Sequence, residues 1–350
     1  MIPGNKGRAA ELTVAAGLAR GLMEFAVSKG ASQAALAERS GIDPAALQDQ
    51  DNRIPFAKYV ALMRAGKELA HDPALALHFG ETNDMSQISV VGLIGNASET
   101  MAQAFVQISR YGRLVVEFDG PANRFRLEHD HAGTWAVDNR EHPNDFPELT
   151  ESTFARMICG PRQFGVTQLA KAVEVTHAAP AYLDEYARIY QAPVTFGAAR
   201  NAVLLDDKWT THRIQLQPRY AFGILCEHAD ALLKQLQNSK STRGRVESLL
   251  MPVLHTGDAS MDTVAGKMAL SRQTLFRRLK AEGTSYEKVL DELRHKLALG
   301  YLGGKKVSVN ETAYLVGFSD PAAFSRAFKR WTGTSPRAMR ASQVESRLGG

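Results

Sequence analysis

Apolar residues recur every three to four positions along most of this chain, and a glycine, a proline or a polar run marks each break in the rhythm. That period is the spacing of one face of an α-helix. It predicts helices over residues 10–29, from about 32 to the Gly41-Ile42-Asp43-Pro44 turn, and over 55–70. Another is expected over 98–111, where Met101, Ala104, Phe105 and Ile108 share a face. The pattern then changes. Residues 114–118, 124–128 and 134–137 are short runs of β-formers bounded by Gly, Pro or Asn, and they read as strands. Helical spacing returns over 149–164 and 180–190, while 172–176, 193–196 and 202–205 read as strands. The chain up to about residue 205 therefore predicts an α+β unit. Gln217-Pro218 precedes a helix running to about Leu236, and the polar, aperiodic residues 238–242 are the expected linker. Everything beyond 243 reads as helix.

Within that helical third one arrangement occurs twice. In the first copy Val264, Ala265 and Met268 turn inward on a short helix, residues 269–271 turn, and Leu275 and Leu279 face inward on a second helix. In the second copy Ala313, Gly317 and Ser319 stand where Ala265, Ala269 and Ser271 do. With one extra residue in its turn, Phe324, Arg326, Phe328 and Lys329 match Leu275, Arg277, Leu279 and Lys280. A small residue where two helices cross, a compact turn and a second helix with one free face are the parts of a helix-turn-helix. Each copy closes on Gly-Thr-Ser, at 283–285 and 333–335. The glycine is expected to stop a helix in a left-handed conformation and the Thr-Ser to start the next segment. Between the copies, Tyr286, Val289, Leu290, Leu293 and Leu297 share one helical face. A helix of about seventeen residues makes a spacer of ~25 Å, on the scale of the ~34 Å between successive major grooves on one face of DNA.

These residues carry a resemblance. Residues 260–340 closely resemble the DNA-binding domain of the AraC/XylS family of bacterial transcription regulators, above all in Gly317-Phe318-Ser319-Asp320, in the run from Ala323 to Trp331, and in Thr334-Ser335-Pro336. Ala269 stands where a turn glycine is commoner, and Thr312 where an aliphatic residue is usual. The first is expected to strain its turn and the second to loosen the packing of the second copy. The resemblance implies that Gln273, Phe276 and Arg277 in the first copy, and Ala322, Ala323 and Arg326 in the second, read bases. Arg suits guanine, Gln suits adenine, and an alanine methyl suits thymine. Arg272, Arg278, Lys280, Lys329 and Arg330 are expected on phosphates, and Trp331 in the core.

Residues from about 10 to 205 look like the arabinose-binding-type effector domain of one branch of the same family. The stretches concerned are Gly92-Leu93-Ile94-Gly95, Ala104-Phe105, Arg110 to Leu114, and Pro193 to Gly197. This likeness is looser and implies a small organic effector and self-association, without naming the ligand. Trp135, Phe154 and Phe164 are the aromatic residues assigned to an effector pocket.

Charge sharpens the division. Residues 240–350 hold 19 Lys+Arg and 10 Asp+Glu, whereas the rest of the chain holds 23 and 27. The net charge of +5 is thus concentrated in the last third, as a polyanion-binding domain requires. Cys159 and Cys226, far apart and outside any C-x-x-C, predict buried packing residues and no disulfide. Apolar runs such as 88–94 fall short of the ~18 residues of a membrane span, and no signal-peptide h-region opens the sequence, so a cytoplasmic location is expected.

Several local motifs carry less. The run from Leu36 to Ile42 imitates a helix-turn-helix, but the segment behind it offers Asp43, Asp49 and Asp51 and no arginine to read a base. Glu128-His129-Asp130-His131 lacks a third metal ligand and reads as a polar strand end. Ser285-Tyr286-Glu287-Lys288 opens a helix, and Gly303-Gly304-Lys305-Lys306 reads as a turn. No catalytic, metal or cofactor constellation emerges.

The expected organisation is an α+β effector-binding and dimerisation domain over 1–210, a helix and linker over 211–242, and an all-α DNA-binding domain over 243–341. Its helix-turn-helix units fall at about 261–282 and 309–332, joined by a long helix, with a tail over 342–350. The expected partners are operator DNA, a small-molecule effector, RNA polymerase and a second copy of the chain. The rival readings are an enzyme with an appended nucleic-acid-binding domain and a DNA binder that senses nothing.

Overall fold

A computed structural model describes residues 12–121, 123–214, 219–256, 259–304 and 307–340. Gln217-Pro218, Lys305-Lys306 and the tail 342–350 lie outside the described residues. Contacts gather into two units, 1–233 and 234–350, and the helix Arg219–Lys240 spans the boundary.

In the first unit a short antiparallel pair, β1 (Thr13–Ala15) and β2 (Arg53–Pro55), accompanies a five-stranded sheet. The sheet comprises β3 (Phe125–Asp130), β4 (Gly133–Asp138), β5 (Ala170–Glu174), β6 (Val194–Thr195) and β7 (Ala202–Leu205), in the order β3-β4-β7-β5-β6. Every pairing is antiparallel except β5 with β6. Alternation along the strands sends Ala136, Val203 and Leu205 into the main core, where Phe154, Ile158, Tyr186 and Ile189 from two helices meet them. Trp135, Val137, Ala202 and Leu204 form a smaller cluster of their own.

Three expectations are revised here. Residues 114–118 are not a strand: Leu114 and Val115 end the helix Met101–Val115, and Val116 makes only an isolated bridge to Val14. Leu114 and Val115 complete the buried stripe begun by Ala104 and Tyr111, so burial outweighs β propensity. The helix expected over 149–164 is Pro147–Cys159, and Gly160–Phe164 tightens to a 3₁₀ turn at Pro161. Cys159 is buried, but Cys226 is only half-buried.

The second unit is helical. Its elements are Thr242–Leu250, Met261–Lys267, Arg272–Ala281, Tyr286–Gly304, Val309–Leu315 and Pro321–Thr332. The expected linker is itself almost wholly helical: one helix ends at Lys240 and the next starts at Thr242. Ser241 makes the break, its hydroxyl accepting from the Gly244 amide at 2.9 Å. At Gly244 a Cβ would overlap the Asn238 carbonyl, so a glycine closes this corner.

Two small cores lie along the central helix Tyr286–Gly304. Tyr286, Val289 and Leu293 enter the first, with Val264, Ala265, Leu275 and Leu279. Ala298 and Leu302 enter the second, with Ala313, Val316, Phe324 and Phe328. Leu290 and Leu297 pack against both. At 19 residues this strut is ~28 Å long.

Candidate nucleic-acid interface and effector cavity

Each short helix of the two copies begins on a side-chain cap. Ser260 accepts from Thr263 N at 3.1 Å, and Ser271 from Thr274 N at 3.2 Å. Ser308 and Glu311 form a reciprocal capping box. Asp320 accepts from the Ala322 and Ala323 amides at 2.9 and 3.0 Å, and Pro321 supplies the first helical residue.

The two turns solve one problem with different residues. Both place a residue in the left-handed region: Ala269 at φ 54° and Gly317 at φ 80°. At Gly317 a Cβ would overlap the Leu254 carbonyl oxygen, which only glycine avoids. Ala269 adopts the conformation with its methyl in place. Thr312, expected to loosen the second copy, is fully buried, and its hydroxyl donates to the Ser308 carbonyl at 2.8 Å. The polar atom is therefore paired within its own helix.

The repeated Gly-Thr-Ser works as a stop and a start. Gly283 and Gly333 take φ 72° and 77° at the ends of their helices. Ser285 then caps the strut through Lys288 N at 3.2 Å, and Ser335 caps the helical residues 336–340 through Ala338 N at 3.2 Å.

On the outer faces, Gln273, Arg277, Ala322 and Arg326 are exposed and Ala323 is half-buried. Phe276 is 52% exposed, an unusual state for a phenylalanine with a core beside it. Lys280 and Lys329 are exposed, and Arg278 is half-buried. Arg272 pairs with Asp262 at 2.6 Å and Arg330 with Asp291 at 2.8 Å, both pairs at the surface. Trp331, expected in the core, is half-buried: it packs against Phe318 and His295, and its indole N–H reaches Asp291 at 3.4 Å.

Arg294 escaped the sequence reading. From the strut it donates to the Val316 and Gly317 carbonyls at 3.1 and 3.0 Å, and its guanidinium lies 4.6 Å from the Phe318 ring centre. It fixes the second turn. Burial lowers its pKa. The available signal was a charge within an apolar helical stripe, between Leu290 and Ala298.

The first unit contains a cavity of about 220 Å³. The helices Val90–Ala97, Met101–Val115 and Pro147–Cys159 supply about half of its wall, the last through Leu149, Thr153, Arg156 and Met157 on one face. Phe164 lines it; Trp135 and Phe154 do not. Trp135 belongs to the separate cluster, with the Arg200 guanidinium 4.6 Å from its ring centre. Phe154, one position from Thr153, is rotated into the sheet core. Tyr59, Arg124, Thr153 and Arg156 are lining residues the sequence reading missed.

Among the described residues no group of three or more His, Cys, Asp or Glu is placed to hold a metal ion, and no helix is long and apolar enough to cross a membrane. His129 instead shares a hydrogen bond with Thr134 at 2.9 Å, and Glu128 pairs with Arg200 at 2.8 Å.

Paired helix-turn-helix units on one strut, in a chain that also carries an α+β unit with an internal cavity, define a DNA-binding transcriptional regulator with an effector-binding domain. The model of the arabinose-binding domain of AraC transcription regulators matches residues 30–214, and a helix-turn-helix domain model matches 264–342. The chain belongs to the AraC family. It is 26% identical over 329 residues to the ornithine utilization regulator of Pseudomonas aeruginosa, spanning 91% of this chain and 93% of that one. It is 24% identical over 328 residues to the regulator VirS of Mycobacterium tuberculosis, spanning 89% and 92%. Among solved structures, the transcriptional regulator CdpR from Pseudomonas aeruginosa aligns over 92% of this chain and 97% of its own, at 21% identity and a TM-score of 0.40.

Proposed function

We propose that the helices Arg272–Ala281 and Pro321–Thr332 enter two successive major grooves of one operator. Gln273, Phe276, Arg277, Ala322, Ala323 and Arg326 read bases there, while Arg272, Arg278, Lys280, Lys329 and Arg330 hold phosphates. The observation that carries this is the polarity of the two helices: Leu275 and Leu279, and Phe324 and Phe328, are sealed into cores shared with one strut, and the opposite faces stand open. The Arg272–Asp262 and Arg330–Asp291 pairs are exposed, so exchanging the carboxylate for a phosphate costs little.

The cavity of the first unit receives the effector. Its occupancy biases a second copy of the chain, and contact with RNA polymerase, toward an altered transcriptional output. The protein works in the cytoplasm by binding and not by turnover.

Fluorescence anisotropy on a selected operator across salt tests the DNA contacts. Arg277→Ala and Arg326→Ala each weaken specific binding by about 1–3 kcal/mol and alter the preferred base. Lys329→Ala weakens binding to every sequence and makes the log K against log salt slope shallower by about 0.9. Unchanged affinity in both arginine variants overturns the assignment.

A further inference from the structure

We propose that the effector is an organic acid with an apolar body, its carboxylate bound by the Arg156 guanidinium beside the hydroxyls of Tyr59 and Thr153. This rests on the cavity being the effector site and adds the chemical class of what enters it. Three charged residues line the cavity: Asp84, Arg124 and Arg156. Asp84 is exposed, and its carboxylate is occupied by the amide and hydroxyl of Ser86 at 2.9 and 2.8 Å. Arg124, 7% exposed, shares Asp138 with Arg140, at 3.2 and 2.9 Å. One carboxylate thus serves two guanidiniums. Among the described residues none lies within ion-pair distance of Arg156.

Polar groups left without a protein partner concentrate at this wall. Of 13 buried side-chain atoms without a hydrogen-bond partner among the described residues, six belong to cavity residues: Tyr59, Asn83, Ser109, Arg124, Thr153 and Arg156. Water can satisfy hydroxyls and N–H groups but leaves the charge of the half-buried Arg156 uncompensated, whereas a carboxylate does both and accepts two parallel N–H bonds from arginine. Burial lowers the Arg156 pKa to about 10, so the group stays cationic near neutrality, and raises that of Tyr59 to about 12, so its hydroxyl stays a donor. Most of the remaining wall is apolar, including Ala104, Phe105, Ile108 and Met157, which excludes a bare inorganic anion as the best fit.

Thermal shift and calorimetry on the full chain test this with matched probes of two body shapes: octanoate, octan-1-ol and octylammonium, and phenylacetate, 2-phenylethanol and 2-phenylethylammonium. At least one acid should raise the melting temperature saturably where its alcohol and amine do not, and Arg156→Gln should abolish that shift. Thr153→Val, nearly isosteric and removing an unpaired hydroxyl, should fold as the parent does and weaken the acid about tenfold. It serves if the arginine variant does not fold. An alcohol or amine that binds as well as its acid, or a Thr153→Val protein with undiminished acid affinity, overturns the assignment of class while leaving the cavity as the effector site. No shift with any of the six probes overturns both.

Discussion

Ala269 and Gly317 occupy equivalent turns in one left-handed conformation, and the Cβ makes the difference. A non-glycine residue in that region costs roughly 1–2 kcal/mol, part of which glycine forfeits through a freer unfolded chain. Ala269→Gly should therefore raise stability by up to about 1 kcal/mol. Gly317→Ala should lower it by about 2–4 kcal/mol, because the backbone cost adds to overlap with the Leu254 carbonyl. Urea unfolding of both variants checks the pair, and equal effects would refute the contrast. The sequence alone reached the correspondence of these positions and the expectation of turn strain. It did not reach Arg294, whose role comes from carbonyls 22 and 23 residues away.

At the scale of elements, the repeated Gly-Thr-Ser was legible because helix termini are local chemistry: a left-handed glycine and a serine cap need no tertiary information. The pair of units was legible for the same reason, since the inward positions repeat with helical period. Residues 114–118 were misread because an apolar run of β-formers fits a strand as well as the last turn of a buried helix, and only its packing partners decide. The cavity was the least legible part. Thr153 and Phe154 are neighbours in sequence, yet one faces the cavity and the other the sheet core, a distinction set by the phase of one helix. The strut yields a further prediction. Leu290 and Leu297 touch both small cores, so Leu297→Ala should destabilise the two helix-turn-helix units together, by about 2 kcal/mol. Hydrogen exchange that weakens in one unit only would show that the strut does not couple them.

Across the whole molecule, chemistry is divided between the two units. Cationic residues are concentrated in the last third, where the proposed polyanion is met, and the first unit keeps Arg124 and Arg156 around its cavity with one carboxylate shared by Arg124 and Arg140. Both features call for an anion, but of different kinds: an extended phosphate backbone outside and a single organic acid within. The regulatory claim depends first on the outer one. Hydroxyl-radical footprinting of the full chain on its operator tests this most directly. The account predicts two protected patches about 10 base pairs apart on one face of the duplex, with Arg277→Ala weakening one patch and Arg326→Ala the other. A single patch, or two patches that respond identically to both substitutions, would contradict it.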